Sequence, residues 1–278
     1  MTIITETETQ NTTDFATEWR QWHTAHEANR AAAHGFLAVT GLHWLTAEPA
    51  FFDDAPGAWS TSDDGPVVEL GAGESLVIDG TEVTGRHEFG VIEERGGRLA
   101  GFGDAVVEVA KRGGHDIVRP RHPEHPLRAE YTGTPVFAAD PAWRLEGRFV
   151  AFDEPREVTV GAAVEGLQHV YAAPGAVEFE IDGVPTTLTA FNGHTPEALL
   201  VLFTDATSGI STYAANRALA IAAPDAEGRV VVDFNRATNL PCAYTDFATC
   251  PLPPAENRLA AAVTAGEKTP VERGGAAA

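Results

Sequence analysis

The sequence predicts a mainly β protein, built from antiparallel sandwich-like or barrel-like units with one N-terminal α-helix. Short segments in which apolar and polar residues alternate recur along most of the chain, and Asp-Gly or Gly-Gly pairs separate many of them. Only the N-terminal region spaces its large apolar residues as a helix does. Hydrophobic residues make up 44% of the chain and charged residues 21%, so the protein can bury a sizeable core.

Three aromatic residues predict the N-terminal helix. Phe15, Trp19 and Trp22 follow one another at offsets of four and three, which places them on one helical face. Residues 12–14 resemble a helix cap, and Gly35 can end the helix. We therefore expect a helix that begins near residue 14 and forms, with a lead-in strand, a first domain over residues 1–45.

Histidines on this helix could in principle bind a metal. His23 and His26 are three residues apart, but no carboxylate pattern accompanies them, and histidines on a helix surface are usually solvated. His43, between Leu42 and Trp44, is better explained as a packed, hydrogen-bonded core residue. The spacing of the histidines therefore assigns no metal site.

The second predicted domain, residues 46–150, is a small antiparallel β unit. Its short strands alternate with turns, at residues 74–78, 81–84 and 106–110. Arg119 and Arg121 fall on the same side of an extended segment, where two guanidinium groups could bind an anion or pair with acidic side chains.

The third predicted domain, residues 151–278, is a second β unit. Val177, Phe179 and Ile181 alternate with acidic residues ahead of a turn at residues 182 and 183. Further strands are predicted at residues 184–191, 198–203, 210–214, 218–222 and 229–235. The regular pattern then gives way to a proline-punctuated loop over residues 236–254, and a loop of this length is usually functional or disordered.

Cys242 and Cys250 both lie in this loop, and Met1 is the only other sulfur-containing residue. Two cysteines exclude a scaffold of several disulfides and a four-thiolate zinc site. The pair could form a disulfide, contribute half of a metal site, act as nucleophile and resolving thiol, or stay buried and inert. The residues name no cofactor.

The charge of the chain bears on its partners and location. The chain has 19 Lys and Arg residues and 40 Asp and Glu residues, which gives a formal net charge of −21. This charge repels phosphate backbones and anionic membrane surfaces. No apolar run approaches the ~20 residues of a spanning helix, and residues 1–11 lack the apolar core of a secretory signal. We therefore expect a cytoplasmic protein without nucleic-acid or membrane partners.

Polar side chains cluster at predicted strand ends in the C-terminal third of the chain, where binding sites are commonly built. Arg217 or Arg119 could clamp an anion, while Asp233 beside Asn235 could hold a hydroxyl or an ammonium group. The leading hypothesis is therefore that a small polar or anionic molecule binds in this region. Its candidate residues are Arg119, Asp205, Tyr213, Arg217, Asp233, Asn235, Cys242, Tyr244, Cys250 and Asn257.

Two other interpretations of the same residues stay open. Asp and Asn near turns commonly bond their own backbone, which would make the loop a rigid plug in a structural or protein-interaction module. A metal-dependent enzyme is the third possibility. The GxSxG, HExxH, Walker and dinucleotide-binding motifs are missing, so whether the protein is an enzyme stays open.

Several motifs of the chain are specific, at residues 203–213, 233–235, 241–244, 250–254, 256–257 and 266–267, and weaker ones lie at 41–45 and 131–144. Through these motifs most of the chain resembles the bacterial family known as domain of unknown function 1684, which implies no established activity. The resemblance also implies a forkhead-associated-like β unit near the N-terminus, but residues 56–66 depart from that pattern and contain no Arg to hold a phosphate. Thr238 and Leu240 depart as well, standing where Tyr and Pro are expected.

Overall fold

A long helix, α1 (Glu6–Arg30), opens the described chain. The prediction that a cap at residues 12–14 starts this helix is wrong, because those residues lie inside it. Cap residues only weakly oppose a helix, and the Glu residues before them favour one. On the predicted aromatic face, Trp19 stacks on His23 with ring centroids 4.8 Å apart. The indole Nε1–H of Trp19 donates to the carbonyl of Asn235 at 3.0 Å.

The structure, a computed structural model, describes residues 6–274, with side chains from residue 14 onward. The chain divides into two compact units: unit 1 comprises Met1–Ala28, Gly133–Ala243 and Cys250–Val271, and unit 2 comprises Asn29–Thr132, Tyr244–Thr249 and Glu272–Ala278. The three-domain division at residues 45 and 150 stays a prediction. Residues 1–5, part of the segment argued to lack a secretory signal, lie outside the described residues.

Unit 2 consists of two antiparallel sheets around one core. The sheet orders are β1-β10-β9-β8-β5-β6 and β2-β3-β4-β7. Trp59, Leu76 and Val107 are fully buried in the core, which holds the sheets together through apolar burial. The strands are β1 (His43–Trp44), β2 (Ala50–Phe52), β3 (Ala55–Ser62), β4 (Gly65–Glu69), β5 (Leu76–Ile78), β6 (Thr81–Val83), β7 (Arg86–Glu88), β8 (Gly97–Phe102), β9 (Ala105–Arg112) and β10 (His115–Arg121). A short helix, α2 (Pro126–Ala129), follows.

Unit 1 contains one curved antiparallel sheet with the order β15-β14-β13-β12-β11-β16. Phe203, Leu219 and Phe234 are fully buried in its core. The long hairpin of β11 and β12 carries an irregularity between Ala151 and Arg156, of the kind that bends a strand. The strands are β11 (Arg144–Gly161), β12 (Gln168–Ile181), β13 (Val184–Asn192), β14 (Leu199–Phe203), β15 (Arg217–Ile221) and β16 (Arg229–Asp233).

The predicted fold class, mainly β with antiparallel sheets and one N-terminal α-helix, is confirmed. The strand predicted at residues 210–214 is wrong, because a tight turn occupies this segment. The carbonyl of Thr207 accepts N–H groups from Ile210, Ser211 and Thr212, and Ile210 is 85% exposed. Within residues 6–274, no helix combines the length and apolarity needed to cross a membrane.

Candidate functional site

A buried ion pair lies at the centre of the predicted polar cluster in unit 1. Arg217, at the start of β15, donates from Nη2 to Asp205 Oδ2 at 2.7 Å, and neither side chain is more than 1% exposed. The other Asp205 oxygen accepts the main-chain N–H of Thr207 at 2.7 Å and its hydroxyl at 2.6 Å. Asp205 therefore has protein partners on both carboxylate oxygens.

Arg217 also bonds the C-terminal segment of unit 1. Its guanidinium donates to the carbonyls of Ala265 and Val263. Burial lowers the pKa of Arg217, and the neighbouring Asp205 carboxylate offsets part of that effect. An arginine stays charged under these conditions, so the buried guanidinium joins strand β15 to the Asp205 turn and to the segment ahead of Glu267.

Asp233 and Asn235 form a second closed group at the end of β16. Asp233 Oδ1 accepts the main-chain N–H of Asn235 at 3.1 Å and its side-chain Nδ2–H at 2.9 Å. The Asn235 amide also exchanges two hydrogen bonds with the main chain of Asp140, each 2.9 Å long. These contacts shape the 3₁₀ turn Phe234–Arg236 that ends the strand.

The remaining unit 1 candidates also bond the backbone. Tyr213 donates its hydroxyl to the carbonyl of Cys242 at 2.9 Å. Both cysteines are buried, and the main-chain N–H of Cys242 lies 3.3 Å from Cys250 Sγ. Asn257 is bonded through both amide atoms, since it accepts the N–H of Thr189 and donates to the carbonyls of Thr189 and Leu202.

Tyr244 and Arg119 belong to unit 2 rather than unit 1. The Tyr244 ring is fully buried, with the guanidinium of Arg30 4.9 Å from its centroid. Arg119, on β10, forms two hydrogen bonds with Glu108 at 3.0 and 2.7 Å. The ten predicted site residues thus form several bonded groups in two units, and a ligand site made from them stays a prediction.

One group of side chains within the described part of the chain has the donor atoms for a metal. Ligand atoms of His26, Glu27 and Glu267 lie within 4.8 Å of one another. The carboxylates also accept main-chain N–H groups, Glu27 from Thr134 at 3.2 Å and Glu267 from Asn239 at 2.6 Å. His26 was singled out from the sequence, but its neighbours here are two glutamates rather than His23.

Gly266 places Glu267 in this group. Its φ is +75°, and a Cβ atom would lie 2.6 Å from the carbonyl oxygen of Ala237. We expect Gly266→Ala to lower the free energy of unfolding by about 1–3 kcal/mol, through backbone strain plus this clash. Urea unfolding measures the change. Gly183→Ala, with a φ of +77° but open space around the added methyl, is the control; an equal loss in both variants would contradict the clash.

Unit 2 contains a cavity of about 530 Å³, within the range typical of small-molecule sites. The loop between β2 and β3, the turn between β8 and β9 and the end of β10 surround it. Its apolar lining includes Phe51, Phe52, Phe102 and Pro120. Its polar lining includes Thr40, Asp53, Asp54, Glu74, Arg121 and His122. We call this space the unit 2 cavity.

The Asp54 carboxylate has a hydrogen-bond partner on each of its oxygens. It accepts the Thr40 hydroxyl at 2.6 Å and is 2.8 Å from His43 Nε2. Burial alone would raise the pKa of Asp54, but the hydrogen bonds from His43 and Thr40 outweigh it and lower the pKa below its ordinary value. Asp54 is therefore ionised at neutral pH. His43, expected to be a core residue, is half-buried and stacks on Phe52 with ring centroids 4.0 Å apart.

Apart from Arg121, which the sequence singled out together with Arg119, the polar cavity residues were missed because they come from separate turns. The available signal was local: two aromatic residues, Phe51 and Phe52, directly precede two acidic ones, Asp53 and Asp54. A strand that ends in this way brings aromatic and carboxylate groups to one edge. Glu74 and Arg121 lie near these residues only because the two sheets of unit 2 pack on one core.

The fold and these sites define a mainly β protein whose unit 2 contains a ligand-sized cavity. The chain belongs to the family described as Protein of unknown function (DUF1684), whose model matches residues 129–268, half of the chain. The solution NMR structure of an uncharacterized protein from Haloarcula marismortui is 32% identical, with a TM-score of 0.43, and the match covers 51% of this chain and 79% of that one. No curated protein matches the chain.

Proposed function

We propose that the protein binds a small organic cation with an apolar body in the unit 2 cavity. The observation that carries this proposal is the combination of three phenylalanines with three carboxylates around one space of about 530 Å³. Ligand sites typically join an apolar lining to a few placed polar groups. The proposal moves the ligand from the C-terminal cluster, whose polar groups are already bonded within the protein.

The aromatic lining favours a ligand with an apolar body. Phe51 is 80% exposed, whereas Phe52 and Phe102 are half-buried. An exposed aromatic ring beside a cavity gains apolar burial when a ligand covers it. The faces of such rings also attract cations, by about 0.5–1 kcal/mol at exposed sites.

The carboxylates favour a positive charge on that ligand. Asp54 stays ionised, Glu74 is half-buried, and Asp53 is exposed. These three carboxylates outnumber the arginine of the lining, Arg121, which also pairs with Glu108. A net charge of −21 on the whole chain raises the local concentration of cations further.

Phenethylamine and two neutral or anionic analogues of the same size test this proposal. We expect calorimetric titration to show binding of phenethylamine, weaker binding of phenethyl alcohol and weakest binding of 3-phenylpropionate, because only the first carries a positive charge. Equal binding of all three, or preference for the carboxylate, would refute a cation site.

Removing two carboxylates of the cavity should weaken the amine specifically. We expect Asp53→Asn with Glu74→Gln to raise its Kd about tenfold, from two partly exposed charge contacts of up to about 1 kcal/mol each. Asp63→Asn with Asp64→Asn changes the net charge equally but alters a turn outside the cavity lining. If both double variants lose the same affinity for phenethylamine, the carboxylates act only by long-range attraction and do not contact the ligand.

The bonded groups of unit 1 support a second candidate, a structural role for the cysteine loop. In this proposal the loop is a rigid plug, and Asp233→Ala lowers the free energy of unfolding while the folded variant keeps its ligand affinity. The acidic charge supports a cytoplasmic protein that binds neither nucleic acid nor anionic membranes. Pull-down with size-exclusion chromatography tests for a protein partner.

A further inference from the structure

We infer that the ligand of the unit 2 cavity is an α-amino acid with an apolar side chain, whose carboxylate lies at Arg121 and His122. This inference rests on the proposed function, which supplies the positive charge and the apolar body. It adds an anionic group next to the cation. The charged residues at the end of β10, where Arg121 and His122 line the cavity, support this addition.

Arginines outnumber carboxylates around Glu108, on strands β9 and β10. Arg119 and Arg121 both pair with the single carboxylate of Glu108, and Arg112 donates to it as well. Even without Arg112, two guanidinium groups share one carboxylate. A second anion at this end of the strand would balance the pair.

Arg121 lies at the cavity, and its guanidinium has donors to spare. It lines the cavity, pairs with Glu108 and donates to the carbonyl of His34 at 2.8 Å. Its Nε–H is buried and has no hydrogen-bond acceptor within the described residues. A ligand cannot reach that buried atom, but Nη1 bonds His34 and Nη2 bonds Glu108 with one N–H each, so both terminal nitrogens keep a second N–H for an anion.

His122, the next residue of the lining, has a ring nitrogen that can donate a hydrogen bond to a ligand. Its Nδ1 accepts the main-chain N–H of Glu124 at 3.2 Å. In the neutral ring the hydrogen is therefore on Nε2, which can donate to an oxygen. His122 is exposed, so a ligand can reach it.

Together, the lining offers carboxylates for an ammonium group, Arg121 and His122 for a carboxylate, and phenylalanines for a side chain. An α-amino acid carries these three groups on a small body. An amine without a carboxylate forms no ion pair with Arg121. An acid without an ammonium group is repelled by the carboxylates of the lining.

Phenylalanine and phenethylamine differ only by a carboxylate, and titrating both measures its contribution. We expect phenylalanine to bind the wild-type protein about tenfold more tightly than phenethylamine. If the amine binds and phenylalanine binds no better, the inference falls while the proposed cation site stands. If neither binds, both are refuted, and tighter binding of 3-phenylpropionate than of the amine refutes the cation site.

Two variants locate the carboxylate. We expect Arg121→Gln and His122→Ala each to remove most of the advantage of phenylalanine and to leave phenethylamine binding at least as tight as before. His122→Ala alters an exposed side chain, so it keeps the test valid if Arg121→Gln disturbs the Glu108 cluster. An unchanged advantage of phenylalanine in His122→Ala and in a folded Arg121→Gln would overturn the assignment.

Discussion

Replacing Arg217 with methionine is expected to lower the free energy of unfolding by about 3–5 kcal/mol, because it leaves the buried Asp205 carboxylate without its cation. The carbonyls of Ala265 and Val263 lose a donor at the same time. Urea or thermal unfolding measures the loss. This is the largest single-residue effect we expect in unit 1.

Two comparisons make this prediction specific. Asp205→Leu in the Arg217→Met background should recover part of the loss, since a buried pair is often replaceable by packed apolar residues. Arg229→Ala removes an arginine that is 71% exposed and paired with Asp225, so it should cost less than about 1 kcal/mol. A loss of that small size at Arg217 would show that the buried pair does not hold the unit together.

The ionised Glu108 carboxylate is expected to stabilise unit 2 at neutral pH, and this contribution is lost in acid. Burial by itself would raise its pKa, but the guanidinium groups of Arg119 and Arg121 lower it from 4.5 to about 2. A carboxylate whose pKa is lower in the folded state stabilises the fold above pH 4.5 and loses that contribution as the pH falls towards 2. Integrated over that window, the contribution is roughly 3 kcal/mol.

Unfolding of the wild-type protein and Glu108→Gln at a series of pH values measures this contribution. We expect the gap in stability to be largest above pH 5 and to shrink steadily below pH 4.5. Glu69→Gln, which removes a half-exposed partner of Arg86, should show a small gap at every pH. A gap at Glu108 that stays constant down to pH 3 would contradict the lowered pKa.

Alternation along the chain predicted much of the β structure. Val177, Phe179 and Ile181 are buried on one face of β12, as their spacing requires. The failures occurred where local hydrogen bonds override propensity. Residues 210–214 read as a strand, but the Thr207 carbonyl gathers three N–H groups and folds them into a turn.

The candidate site was less accessible to the sequence than the fold. Asp205, Arg217 and Asn235 were predicted to bind a ligand, and that stays a prediction; their partners include the main chain of residues far along the sequence, which no spacing reveals. Arg119 and Arg121 were recognised as neighbours, but Glu108, which they share, comes from the adjacent strand. The unit 2 cavity is formed by segments from the pairs β2–β3, β8–β9 and β9–β10, so all three pairings would have to be predicted to find it.

The way the chain alternates between the two units limits how the protein can be dissected. Unit 1 needs Met1–Ala28 as well as the residues after Gly133, and Tyr244–Thr249 of unit 2 interrupt it. A fragment cut at the family match, residues 129–268, would lose Trp19 and its bond to Asn235, and would expose Tyr244 without Phe36 beside it. Unit 1 therefore cannot be excised as a contiguous polypeptide, whereas all ten strands of unit 2 lie within the continuous stretch Asn29–Thr132.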